Sequence, residues 1–227
     1  MDGRRLTFHL VGINNQNFVM QDVETGTWWQ QVSGEAILGP LKGQRLTLVS
    51  SDQLTFGMWK AEAPSGRVLR PDPRTSRAGL YAPADWEQDV QKYPAPASAS
   101  ADRRLSPRAL VVGVAAGDSA MAFPVSALAA GSVVLDEVGT TPVAVVRAPD
   151  GRSTRVFDRR IEGRVLELIA RTGPFRIADT QSGSEWDFTG AAVTGPMAGR
   201  RLSRVPYLEE YWFDWKTYHP STDVHLR

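Results

Sequence analysis

Short apolar runs separated by Gly- and Pro-bearing turns fill most of this chain, which is the pattern of a β-rich protein. Residues 18–22 read as a strand, Val23-Glu24-Thr25-Gly26 as a turn in which Gly26 can take positive φ, and residues 27–32 as the partner strand. Residues 36–38 and 45–49 read as strands around Pro40-Leu41-Lys42-Gly43. Further on, residues 110–114 and 120–123 flank a Gly117-Asp118 turn, 125–130 fit one or two helical turns, and 133–135, 143–146 and 155–157 read as strands. One segment has a different period. Leu208, Tyr211, Trp212 and Trp215 follow i, i+3, i+4, i+7, which predicts a helix face over 207–219, stopped by Pro220. The expected class is mainly β, an α+β fold with short helices.

The pattern recurs within the chain. With Phe18 placed on Phe175, Asp22 falls on Asp179, Gly26 on Gly183 and Trp29 on Trp186. After one dropped residue near Val32, Gly34 matches Gly190, Gly39-Pro40 matches Gly195-Pro196, and Arg45-Leu46 matches Arg201-Leu202. Trp59-Lys60 then matches Trp215-Lys216, and Pro64-Ser65 matches Pro220-Ser221. The identities concentrate in Gly, Pro and Trp, whose structural roles are narrow. We therefore expect two copies of a β-rich unit, an incomplete one over 1–70 and a fuller one over 108–227. The first has no counterpart of residues 108–160, which predicts an exposed sheet edge near residues 4–11 and self-association there. Residues 71–107, rich in Pro and with an Ala/Ser run at 97–101, read as a linker, mobile at 95–104.

Composition narrows the function classes. The 227 residues carry 26 Lys plus Arg against 25 Asp plus Glu, a net charge of +1, so no strong field attracts nucleic acid. The apolar runs are too short to insert in a membrane as a helix, and residues 1–20 lack a signal-peptide apolar stretch. The absence of cysteine removes disulfides, thiolate nucleophiles and Cys-ligated metal sites.

Candidate chemistry is sparse. His9, His219 and His225 show no metal-ligand spacing, and neither a metal nor a cofactor is expected. His219 ends the aromatic run, where a C-terminal helix position also suits histidine. Asp22 and Asp179 open equivalent turns. They are candidate acid–base groups, though an Asp opening a turn that ends in Gly is also what local backbone hydrogen bonding favours. Trp29, Trp59, Trp186 and Trp215 could form a ligand platform, but recurrence at matched positions favours packing. Residues 113–117 lack the following helix and Lys of a phosphate loop. Met121 stands where a nucleophile elbow needs Gly, and Arg155, Arg159, Arg160 and Arg164 read as a solvated face.

Three stretches resemble the bacterial domain-of-unknown-function family 3179: DVETGTWWQQVSGEAILGPLKGQRL at 22–46, VVGVAAGDSAMAFPVSAL at 111–128 and YWFDWKTYHPSTDV at 211–224. The resemblance covers nearly the whole chain. It carries no activity and implies an exported, extracytoplasmic protein. It also implies a Cys-Pro-Leu-Cys segment, which would lie before Met1. The matching positions of the second copy hold Ala148 and Gly151. The leading expectation is a non-enzymatic binding or structural module. The alternative is a fragment of a redox or metal-dependent enzyme whose Cys-x-x-Cys lies upstream. A carbohydrate hydrolase using Asp22 and Asp179 is a third reading.

Overall fold

The computed structural model describes residues 3, 5–14, 17–74, 83, 85–95, 102–171, 173 and 175–226. The Ala/Ser run at 97–101 falls outside them. The chain is mainly β, built from small sheets packed in layers.

The central layers come from the long alternating strands. β5 (Leu110–Ala116) and β6 (Ser119–Pro124) form a hairpin flanked by β17 (Tyr207–Tyr211) and β18 (Asp223–Val224), in the order β17-β5-β6-β18. β7 (Ser132–Val138), β8 (Thr141–Arg147), β9 (Thr154–Asp158) and β16 (Ser203–Arg204) form the order β16-β9-β8-β7. Strand period two then sorts side chains between cores. Val143, Val145 and Val156 face Val112, Val114 and Phe123, while Ala144, Val146 and Phe157 face the opposite layer. Both faces of β8 and β9 are covered, so these strands read as continuous apolar runs.

The opposite layer is the sheet β12 (Leu168–Arg171), β13 (Arg176–Asp179), β14 (Glu185–Trp186) and β15 (Ala192–Thr194), with Leu168, Ile177, Trp186 and Ala192 in the shared core. β10 (Arg160–Ile161) and β11 (Arg164–Val165) form the hairpin leading into it. Near the N-terminus, β1 (Phe8–Asn14), β2 (Asn17–Asp22), β3 (Trp28–Gln30) and β4 (Ala36–Leu38) form a second sheet in sequential order.

These two four-stranded sheets have matching details. Asp22 N donates to Thr27 O and Gly26 N to Asp22 O; Asp179 N donates to Ser184 O and Gly183 N to Asp179 O. Each sheet has a bulge before its buried Trp, at Trp28/Trp29 and at Glu185/Trp186. Leu46 N donates to Gly34 O, and Leu202 N to Gly190 O. Gly39 and Gly195 both have positive φ, and a Cβ on either would lie under 3 Å from the Cα of Thr27 or Ser184. Close backbone approach requires glycine there.

Three short helices complete the described fold. α1 (Phe56–Glu62) is N-capped by Thr55 and lays Met58 against the core of the β12–β15 sheet. α2 (Trp86–Asp89) precedes a 3-10 turn at Val90–Lys92, and Arg108 donates to Tyr93 O and Pro94 O, tying the linker to β5. α3 (Trp212–Tyr218) buries Trp212 and Trp215 against Val111 and Ala122 of the β5–β6 hairpin. Gly113 admits the indole: a Cβ there would sit 2.3 Å from Trp215.

Two expectations change. The helix over 207–219 is half strand, because β17 pairs with β5 from Tyr207 opposite Val114 to Tyr211 opposite Leu110. Long-range pairing overrides the helical spacing of Leu208 and Tyr211. Residues 46–49 form no strand; only Arg45 bridges Glu35. The matched Ser203–Arg204 has β9 beside it, and residues 46–49 have no such neighbour. Val49 is accordingly 74% exposed and Val205 7%. Residues 52–62 lie on β9 rather than on the β1–β4 sheet. Arg155 of β9 donates to Asp52 and Glu62, and Ser153 Oγ accepts from Thr55 N, holding 52–62 against β9. β1 is an outer strand with Leu10 and Ile13 exposed.

Candidate functional site

Asp22 and Asp179 lie in separate sheets, and each is closed in by its own turn. Trp29 Nε1 donates to Asp22 Oδ2 at 2.7 Å, and Thr25 N and Oγ1 donate to Oδ1. Trp186 Nε1 donates to Asp179 Oδ2 at 3.2 Å, with Ser182 N and Oγ alongside. Burial raises both carboxyl pKa values, and the hydrogen bonds outweigh it and hold them below the usual range. The two carboxylates are not brought together, so they do not form the pair that glycoside hydrolysis needs. Trp29 and Trp186 are fully buried, which leaves no face for a ligand. Trp59 is half-buried against Phe56.

The histidines also separate. His9 is exposed on β1. His225 stacks on Phe123 and contacts Asp136 through Nδ1. His219, at the end of α3, lies over Trp215 with ring centroids 3.9 Å apart. Burial, and then the charge of Arg45, lower its pKa.

His219 opens onto a cleft of about 540 Å³ between the β1–β4 sheet and α3. This is within the size range of small-molecule sites. Gln30, Glu35, Arg45 and Leu46 line one side, and Leu208, Trp215, Tyr218 and His219 the other. Arg45 and Glu35 form an ion pair at 3.0 Å and are largely exposed. Deeper in, the Gln30 amide nitrogen and the Tyr218 hydroxyl are both closed off from water. Neither has a partner in strict hydrogen-bond geometry among the described residues, although Asn17 and Gln30 both approach the Tyr218 hydroxyl. Buried polar atoms in folded proteins are nearly always satisfied, so two facing one cleft mark a place where polar partners belong.

Behind Tyr218 lies a carboxylate pair. Glu210 ends β17, and Asp214 is in the first turn of α3. Leu208 lines the cleft, and Glu210, two residues along the strand, projects from the same face. Glu210 and Asp214 are hydrogen bonded to each other, and Asn17 Nδ2 donates to Asp214 Oδ1. Burial, then the Asp214 charge, push Glu210 up to about 7; burial pushes Asp214 up to about 6 against the hydrogen bonds from Asn17 and Glu210. Two such carboxyls hold one proton between them near neutrality. Among the described residues no Lys, Arg or His pairs with either. The sequence reading passed over both residues. The available signal was two acids set inside an aromatic run, YLEEYWFDWKTY.

A larger cleft, about 790 Å³, lies between residues 52–56 and β17. Its charged groups are paired, Arg147 with Glu209 and Asp52 with Arg155 and Arg204, although Arg147 Nε and Arg204 Nε make no hydrogen bond among the described residues. Next to it, Ala148 and Gly151 close a tight turn, with Gly151 N donating to Ala148 O at 2.9 Å and Gly151 at φ 64. Burial raises the Asp150 pKa in that turn, but bonds from Ser153, Arg152 and Thr55 hold it at about 2. The turn is structural and carries no thiol.

Sequence comparison places this chain of layered small sheets in a family. The family described as "Protein of unknown function (DUF3179)" matches residues 1–222, and the chain belongs to that family. No curated protein and no solved structure matches it.

Proposed function

We propose that this protein is a non-enzymatic binding module that holds a small ligand in the cleft between the β1–β4 sheet and α3. The observation that carries this reading is a pair of buried polar groups from opposite walls, Gln30 Nε2 and the Tyr218 hydroxyl, that approach each other without completing a hydrogen bond. The aromatic shelf of Trp215 and His219 supplies apolar contact, and Gln30 and Tyr218 supply direction. A catalytic reading would need His219 to hold a carboxylate, and among the described residues it bonds none. The proposal treats 1–70 and 108–227 as two copies of one unit, supported by the matching turn bonds at Asp22 and Asp179. The site then lies where the first copy's sheet meets the second copy's helix.

The test is tryptophan fluorescence and melting temperature across a panel of small polar compounds. A bound compound raises the melting temperature and perturbs Trp215, and Tyr218→Phe or Gln30→Leu weakens it by roughly tenfold, the size of one lost hydrogen bond. A panel without effect, or binding indifferent to both substitutions, overturns the reading.

A further inference from the structure

The two ends of the cleft differ in chemistry. At the closed end, Gln30 lines the wall with a side chain only 3% exposed, and its Nε2 has no partner in strict hydrogen-bond geometry among the described residues. A buried amide N–H in that state calls for an acceptor. A neutral acceptor suits it best, because the Tyr218 hydroxyl beside it already feels the charges of Asp214 and Glu210. Leu46 and Leu208, on facing walls, make the middle apolar. At the mouth, Arg45 arrives from the β1–β4 side and His219 from the end of α3. Arg45 makes one side-chain hydrogen bond among the described residues, from Nη2 to Glu35, which leaves its other N–H groups uncommitted. His219 lies against Trp215, and among the described residues no hydrogen bond reaches its ring nitrogens.

We propose that the occupant of this cleft is a small oxo-carboxylic acid, its carboxylate bridging Arg45 and His219 at the mouth and its carbonyl oxygen accepting from Gln30 Nε2 at the closed end. This rests on the cleft being a ligand site. The free N–H groups of Arg45 donate to the carboxylate as charge-assisted bonds. Glu35 offsets much of the Arg45 charge, so the second cation must come from His219. Burial, and then the Arg45 charge, keep that ring neutral in the empty cleft. The bound carboxylate reverses this, and a proton enters the protein with the ligand. Affinity therefore rises as pH falls. The other charged and titratable groups around His219 are Glu35 across the cleft, Tyr207 on β17 and Tyr218 on α3. Lys216 turns away to Asp102, and Glu210 and Asp214 lie behind Tyr218.

The experiment is calorimetric titration of the full chain with levulinate and its longer homologues, with valerate, which lacks the carbonyl, and with butanone, which lacks the carboxylate, in two buffers of different ionisation enthalpy. An oxo acid binds about tenfold more tightly than valerate, takes up a proton, and gains about fivefold in affinity from about pH 7 to about pH 5.5. Gln30→Leu erases the preference over valerate, and His219→Gln removes the proton uptake. Glu35→Gln, at an exposed position, releases Arg45 and tightens binding several-fold, a gain that a misfolded variant would not show. If butanone binds and the acids do not, the carboxylate assignment falls while the ligand cleft stands. If none of these compounds binds, the assignment also falls, and the wider compound panel decides the cleft. Proton uptake that survives His219→Gln, or weaker binding in Glu35→Gln, overturns the assignment as well.

Discussion

Trp186 donates its indole N–H to Asp179 across a four-residue turn, inside the core beneath β8 and β9. The bond fixes a fully buried ring, and the same carboxylate accepts from Ser182. Asp179→Ala strands these donors in an apolar layer, at a cost of about 1–3 kcal/mol for each donor that stays dry. Urea unfolding is expected to show a total loss of about 3 kcal/mol with an unchanged m-value. A loss within experimental error would mean that the turn does not hold the ring.

Arg155 secures the segment from Asp52 to Glu62. Its guanidinium is buried, stacks over Phe188 at 4.6 Å and donates to both carboxylates. Arg155→Met leaves the Asp52 and Glu62 charges partly exposed, so the loss is expected to fall at about 2–3 kcal/mol, below that of a fully buried broken pair. Hydrogen exchange should localise the change to Phe56–Glu62. Uniform loosening of the whole chain would contradict this.

Gly113 is where β5 receives Trp215. The methyl group of Gly113→Ala would occupy indole space, so α3 must shift. The expected cost is about 1–3 kcal/mol, as for other overpacked cores, with a red-shifted tryptophan emission. A neutral substitution would show that α3 is not seated as described.

The Glu210–Asp214 pair gives stability an uncommon pH dependence. Its folded-state pKa values lie above the unfolded ones, so the folded chain binds the extra proton. That stabilisation is complete below about pH 4, the unfolded range, and is lost as pH rises through about 6 to 7. Asp22, Asp52, Asp150 and Asp179 have lowered values and act in the opposite sense: their stabilisation is present above about pH 4 and lost as pH falls below it. His219, its pKa lowered by burial, acts in the opposite sense over the same range, so the pair is read by difference: relative to the parent chain, Glu210→Gln is expected to remove a decline in melting temperature between about pH 5 and pH 7. An identical slope in the variant would refute the assignment.

Much of the fold is legible in the residues themselves. The hairpin turns at Gly26, Gly117 and Gly183 and the strands around them follow from period-two patterning and turn chemistry, which are local. The stretch 207–211 is not, because YLEEY fits either period and the choice is made by β5, roughly a hundred residues away. The site is illegible for a similar reason. Asn17 and Gln30 acquire meaning only when folding sets them against Asp214 and Tyr218, and no spacing in the chain records that approach. Asp22, Asp179, Trp29 and Trp186 stand at matched positions in the sequence, and the structure uses all four in buried turns.

The central claim is that the cleft between the β1–β4 sheet and α3 holds a small polar ligand on Gln30 and Tyr218. The most direct measurement is the nuclear magnetic resonance signal of the Gln30 side-chain amide during titration with a bound compound. The account predicts that this amide shifts and becomes protected from solvent exchange as its nitrogen gains an acceptor, in step with occupancy. A saturating ligand that leaves the Gln30 amide unmoved would contradict it.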